Sequence, residues 1–359
     1  MYGVFENKKQ LLTDLNAVLP NISQSVGTTR DAAEALEESV KSYTQAKYCV
    51  SAKSGTQALT AALHAVGVRP DTYVITTPWT FIATCTAVTS LGAKVLFADV
   101  KSDNWTIDPV KIGELLDLFG PRVSCVIPVD LFGCPCDYTS ILKICAAAGV
   151  PVVEDACQGF TGEYLGSKLT NVGCSIGVTS FYPTKPLGGY GEGGALVTND
   201  GNLAAEAEKF LNHGSTRANP DCIGVGENGR IDSLNAALLV EKFKRIDELT
   251  AHRRAIDDVY RELLTGICRF QQVPKNCRSA LYQDRVCITA SDAELLGSVL
   301  TLDHLYDVNV TTNTRFSVDR ARAKRAFVFS STTTGLPINE NIDPGELRQL
   351  LTKFIELRG

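Results

Sequence analysis

TSFYPTKPLGGYGEGG, residues 179–194, is the stretch on which the reading of this chain turns. It sets one lysine, Lys185, between a hydroxyl-rich strand end and two glycine clusters. Glycine lets a backbone come close to a neighbour and adopt conformations closed to other residues. A lysine held in a dry crevice loses basicity, because burial disfavours its charged form. Such an amine can attack a carbonyl and form a Schiff base. The same letters also suit a surface lysine in a glycine-rich loop, so the decision rests on the flanking chain.

Working outward, strand and helix patterns alternate. Residues 8–22 and 30–46 read as helices. A strand at 47–53 leads through Ser54-Gly55-Thr56 into another helix. Strands follow at 72–76, 93–99, 123–133, 150–155, 176–181 and 193–200, with helices at 80–91, 108–118 and 138–148. This alternation predicts an α/β fold with a mainly parallel sheet covered on both faces. Helices are expected at 202–213 and in one long run over 232–261. Beyond about 268 the pattern becomes α+β: a strand candidate within 280–290, a helix at 291–304, a strand at 306–312 and a closing helix capped by Asp343. The expected division is a large domain over 1–245 and a small one over 246–359.

Ligands of such sheets collect at the carboxyl ends of strands, so the residues placed there are the candidates. Ser54-Gly55-Thr56 opens a helix, either as a phosphate cradle or as an ordinary capping turn. Asp155 ends the apolar run VPVVED; it would partner a protonated ring nitrogen or cap the next turn. Gln158 follows three residues later. Phe81 and Trp79, in PWTF, are either ring-stacking faces or core. Ser180 precedes Lys185 and would add a hydroxyl to a phosphate site. Asn228 and Arg230, in GENGR, form a solvated loop or reach a ligand, within the chain or across a subunit boundary. Cradle, stacking aromatic, carboxylate, glutamine and lysine together are the parts that hold pyridoxal phosphate.

The bulk numbers exclude several classes. The chain has 359 residues, 44% hydrophobic and 21% charged, with a net charge of −5. That balance argues against a nucleic-acid or anionic-membrane partner. No apolar run approaches the ~18 residues of a membrane span, and Met1–Gln10 lacks a leader pattern, so a cytoplasmic protein is expected. The twelve cysteines are scattered and read mostly as buried thiols. Cys134 and Cys136 have no second pair at metal spacing, so no metal site is expected.

In order, SGTQAL, PWTFIAT, VVEDACQGFTGEYLGSKLTNVG, SFYPTKPLGGYGEGGALVTND, LNHGS and GENGRIDSLNAAL resemble the motifs of the DegT-type nucleotide-sugar aminotransferases. The resemblance runs from about residue 30 to about residue 260. It implies a fold-type I pyridoxal-phosphate enzyme with a mixed, mainly parallel seven-stranded sheet. By the same resemblance Lys185 forms the aldimine with the cofactor, Asp155 meets the pyridine nitrogen and Gln158 lies near the phenolic oxygen. Phe81 stacks on the ring, preferred here over Trp79, and Gly55, Thr56 and Ser180 bind phosphate. Asn228 is lent by a neighbouring subunit, implying a homodimer. The implied reaction is ping-pong transfer of an amino group, from glutamate, to a nucleotide-linked keto-sugar. The alternatives are a sugar dehydratase-like enzyme, which replaces the lysine by histidine, and a non-catalytic regulatory protein on the same body. The chain departs from the family at PVDLFGC, with Asp130 and Cys134, and in its C-terminal segment.

Overall fold

The computed structural model describes residues 8–22, 30–215, 221–222, 224–300 and 323–358. Its elements, in chain order, are α1 (Lys8–Ile22), α2 (Arg30–Thr44), β1 (Tyr48–Ala52), α3 (Gly55–Ala65), β2 (Tyr73–Thr76), α4 (Ile82–Ser90), β3 (Lys94–Phe97), α5 (Pro109–Phe119), β4 (Val123–Val126), α6 (Tyr138–Ala148), β5 (Val153–Asp155), β6 (Glu163–Tyr164), β7 (Ser167–Lys168), β8 (Ile176–Ser180) and β9 (Gly194–Thr198). Then come α7 (Gly201–Leu211), α8 (Ser233–Phe243), α9 (Ile246–Leu264), β10 (Arg269–Phe270), β11 (Cys277–Arg278), β12 (Asp284–Cys287), α10 (Ala290–Val299), α11 (Lys324–Thr332), β13 (Thr333–Leu336) and α12 (Pro344–Arg358).

Local chemistry explains many of the boundaries. Asp108, Asp137, Asp200 and Asp232 each cap a helix by accepting from a backbone N–H inside it, satisfying donors that the first turn leaves open. Gly149 ends α6 in a left-handed conformation, the stop that glycine makes without strain. Asp343 accepts from Glu346 N at 2.9 Å and caps α12, as expected.

Two sheets, β3-β2-β4 and β1-β9-β8-β5, join through parallel bridges at Val126–Val152 and Val129–Asp155. The result is one mixed sheet in the order β3-β2-β4-β5-β8-β9-β1. It is parallel throughout except that β9 runs against both β8 and β1. Successive residues serve opposite faces: Leu196 joins the core under α3 and α7, while Ala195 and Val197 join the core under α2 and α8. A third cluster lies beneath α5 and α6. The expected mainly parallel sheet, covered on both faces, is what forms.

The C-terminal part has its own core, from Ile256 to Phe354, and a three-stranded antiparallel sheet, β10-β12-β13. β11 turns back to pair with β6.

Three expectations are corrected. The strand predicted over 123–133 ends at Val126, because Asp130 turns the chain and Phe132 is left-handed at φ 62°. The run predicted as one helix over 232–261 is two, α8 and α9. Arg245 leaves helical geometry at the break, where its Nη2 lies 2.7 Å from Asp14. The strand candidate within 280–290 forms only over Asp284–Cys287, and Ala290 already belongs to α10. The strand expected at 306–312 lies outside the described residues.

Candidate active site

The carboxyl ends of β5, β8 and β1 meet at one place. Asp155 ends β5 and is 5% exposed. Thr84 Oγ1 donates to its Oδ2 at 2.8 Å and Cys157 N to its Oδ1 at 3.2 Å. No lysine or arginine among the described residues forms an ion pair with it. A buried carboxylate that accepts from neutral donors and has no cation beside it keeps acceptor capacity for a protonated nitrogen.

The N-terminus of α3 lies beside it. Ser54 caps that helix by accepting from Gln57 N at 3.2 Å. A Cβ on Gly55 would stand 2.6 Å from Ser180 Cβ and 3.1 Å from Cys157 Sγ. Only glycine lets the helix start and the end of β8 approach this closely. Ser180 is buried, and its Oγ accepts from Tyr182 N at 3.2 Å. Thr56 stands exposed in the first turn. Free backbone donors and a helix dipole there make an anion site.

Lys185 follows on a tight loop. Its N–H donates to Tyr182 O at 2.8 Å, and a Cβ on Gly188 would lie 2.1 Å from Pro183 O. The glycines are therefore a close-packed wall beside the lysine. Its half-buried side chain places Nζ 4.5 Å from the centre of the Tyr282 ring, a cation–π distance. Cys157 feels the charges of both Asp155 and Lys185. Burial pushes its thiol well up and Asp155 adds to this, while the charge of Lys185 opposes it.

Gln158 is buried, and its Oε1 accepts from Phe132 N at 2.6 Å. Phe81 is 46% exposed just before α4, whereas Trp79 is 1% exposed and packs on Trp105 and Phe132. Of the two rings, Phe81 is the exposed one. Asn228 is not joined to this group. Its carbonyl accepts from Lys53 Nζ at 3.0 Å, and its side chain is exposed. Arg230 hydrogen-bonds to Asn212.

Sequence reasoning missed four residues here. Thr84 and Cys157 touch Asp155; Tyr282 and Arg253 reach the lysine from the C-terminal part. Buried Arg253 donates to Lys185 O at 3.4 Å, to Leu281 O at 3.1 Å and to Ile338 O at 3.0 Å. Thr84 carries a weak signal, sitting one helical turn after Thr80, with which it shares a 2.8 Å hydrogen bond. The others carry none.

Among the described residues no helix is long and apolar enough to cross a membrane. The sequence model described as the DegT/DnrJ/EryC1/StrS aminotransferase family matches residues 7–336. The chain is 39% identical over 226 residues to "UDP-2-acetamido-2-deoxy-3-oxo-D-glucuronate aminotransferase" of Pseudomonas aeruginosa, a match spanning 63% of this chain and 61% of that protein. It is 34% identical over 265 residues to the "Pleiotropic regulatory protein" of Geobacillus stearothermophilus, spanning 74% and 70%. Its structure superposes on that of S. venezuelae DesV in complex with a ketimine intermediate with a TM-score of 0.91 at 25% identity, covering 99% of this chain and 97% of that one.

Proposed function

The chain belongs to the DegT/DnrJ/EryC1/StrS aminotransferase family, and on that premise we propose that it is a pyridoxal-phosphate-dependent aminotransferase acting on a nucleotide-linked keto-sugar, with L-glutamate as amino donor. The observation that carries this reading is the meeting of Asp155, the Gly55–Ser180 contact and Lys185 around Cys157. The fit to the cofactor is chemical as well as spatial: an anion site, a buried carboxylate without a cation, and an amine lie side by side.

When bound, pyridoxal phosphate supplies an electron sink that stabilises negative charge on the carbon bearing the transferred nitrogen. The chain's own residues do the rest. Gly55 and Thr56 offer backbone N–H groups, and Ser180 its hydroxyl, to the phosphate. Asp155 holds a proton on the ring nitrogen, steadied by Thr84. Gln158 would meet the ring oxygen, and Phe81 would cover one ring face. Lys185 Nζ would be the attachment point and, once freed, would move a proton from the donor's Cα to the cofactor carbon and, in the second half-reaction, from the cofactor carbon to the acceptor carbon. Tyr282 keeps that amine over the site.

A second copy of the chain completes the site in this reading. Phe81, Tyr182, Val225 and Leu234 are large apolar residues, 46%, 45%, 75% and 43% exposed. Phe81 and Tyr182 lie beside the site residues, and Val225 and Leu234 flank Asn228 in the chain, surfaces that a homodimer would cover. Asn228 then reaches the partner's phosphate. We also place the boundary between large and small domains at residue 245, supported by the separate C-terminal core.

The keto-sugar assignment leans on the Pseudomonas aeruginosa relative. The Geobacillus stearothermophilus relative favours a regulatory role, but a pure binder has no use for the Lys185–Asp155 arrangement. The discriminating experiment is kinetic. Varying glutamate against a panel of nucleotide keto-sugars should give parallel double-reciprocal lines. Intersecting lines, or no turnover across the panel, would remove the reading.

A further inference from the structure

Beneath Asp155, on the opposite side of the sheet, lie two carboxyl groups that the proposed reaction does not use. Asp130 and Glu154 are both 0% exposed. Asp130 Oδ1 accepts from Cys136 N at 3.0 Å and from Tyr138 Oη at 2.8 Å; Glu154 Oε1 accepts from Thr170 N at 2.7 Å. Their other oxygens, Asp130 Oδ2 and Glu154 Oε2, have no donor. The parallel bridge between Val129 and Asp155, with Asp130 N donating to Asp155 O at 3.1 Å, sets the side chains of Asp130 and Glu154 side by side on one face of the sheet. Two buried carboxyl groups so placed, each with an oxygen that lacks a donor, disfavour two charges and favour one proton held between them.

This pair is tied to the cofactor residues through backbone. Asp130 N donates to Asp155 O at 3.1 Å, and Gly133 N donates to Asp130 O at 3.0 Å. Within the turn so closed, Phe132 N holds Gln158. Gly159, next to Gln158, packs on Asp130 so closely that a Cβ there would lie 3.1 Å from Oδ2.

We propose that the Asp130–Glu154 pair, by sharing one proton, is a positioning element that locks the 130–136 turn against the end of β5 and so fixes Gln158 and Asp155 for the cofactor. This rests on the aminotransferase reading above. Losing the shared proton would leave two buried anions in contact, and the turn would give way. Burial pushes Asp130 up to about 7, and burial with the charge of Asp130 pushes Glu154 well up. The titratable groups around the pair are Asp155, Tyr138, Cys134, Cys136, Cys157 and Cys174. All are neutral or anionic, so none draws the proton off by positive charge.

The test titrates apo wild type, Glu154→Gln and Asp130→Asn with pyridoxal phosphate, from neutral to alkaline pH, following bound-cofactor absorbance. Either amide donates the hydrogen bond that the shared proton makes. A melt of each apo-protein in the same buffers confirms that it is folded. The three proteins differ in no other residue, so the difference between their pH profiles is the readout. Wild-type affinity should fall in alkali by about tenfold more than that of the amide variants, the worth of one lost hydrogen bond to a fixed group. Identical pH profiles in all three would overturn the inference and leave the aminotransferase reading standing. No cofactor binding by wild type at any pH would overturn both.

Discussion

Thr84 Oγ1 donates to Asp155 Oδ2 across 2.8 Å, joining the first turn of α4 to the end of β5. The bond fixes the carboxylate that the proposed mechanism places on the ring nitrogen. Thr84→Val keeps the volume and removes the donor. Cofactor affinity should fall about tenfold, in line with hydrogen bonds to charged groups. Unchanged affinity in an equilibrium titration would show that Asp155 needs no such support.

Gly55→Ala tests the cradle. The added Cβ would press on Ser180 at 2.6 Å, against a strand end that cannot easily yield. Overpacking of this kind costs about 1–3 kcal/mol. The expected outcome is a lower denaturation midpoint together with weaker phosphate binding; a variant indistinguishable from wild type in both would contradict the close approach.

Arg253→Met removes the side chain that ties the lysine loop to the C-terminal part. It would strand the carbonyls of Leu281 and Ile338, which now accept from Arg253 at 3.1 and 3.0 Å. A loss of about 3 kcal/mol is expected in chemical denaturation. A loss well under 1 kcal/mol would mean that water replaces the guanidinium at no penalty.

Stability should also depend on pH through Asp130 and Glu154. Unfolded carboxyl groups ionise near pH 4, whereas Asp130 in the folded chain is pushed up to about 7 and Glu154 is pushed well up, both by burial. Across that window the folded state holds protons that the unfolded state has released. Stability therefore falls as pH rises from about 4 through about 7. Glu154→Gln should flatten the slope of midpoint against pH. Asp284, also pushed up by burial, is common to both proteins and cancels in the comparison. Parallel slopes would sink the prediction.

The sheet was legible because parallel strands buried on both faces read as apolar runs, and Asp and Gly mark the helix ends in the letters themselves. Asp155, Ser180 and Gly55 were legible because each closes such a strand or opens the helix after it, and Gln158 and Lys185 because they follow such strand ends within a few residues. What escaped was set by contacts distant in sequence. The β6–β7 hairpin is two residues a side and turns on Leu165 and Gly166, both left-handed; no periodicity fits in so short a span. The break at Arg245 depends on Asp14, 231 residues away. Tyr282 and Arg253 reach the lysine only once the C-terminal part has packed.

Lys185 remains the centre of the account. Lys185→Ala should fold as wild type does yet hold pyridoxal phosphate without the visible band of the lysine-bound form, and turnover should drop about a thousandfold or more. A variant turning over at the parent rate would displace the lysine from its role.

The most direct measurement is the absorbance spectrum of the purified protein with pyridoxal phosphate, before and after L-glutamate. The account predicts a yellow protein whose visible band bleaches when the donor is added and returns when a nucleotide keto-sugar follows. A colourless protein would contradict the cofactor, and a yellow one that no amino donor bleaches would contradict the transamination.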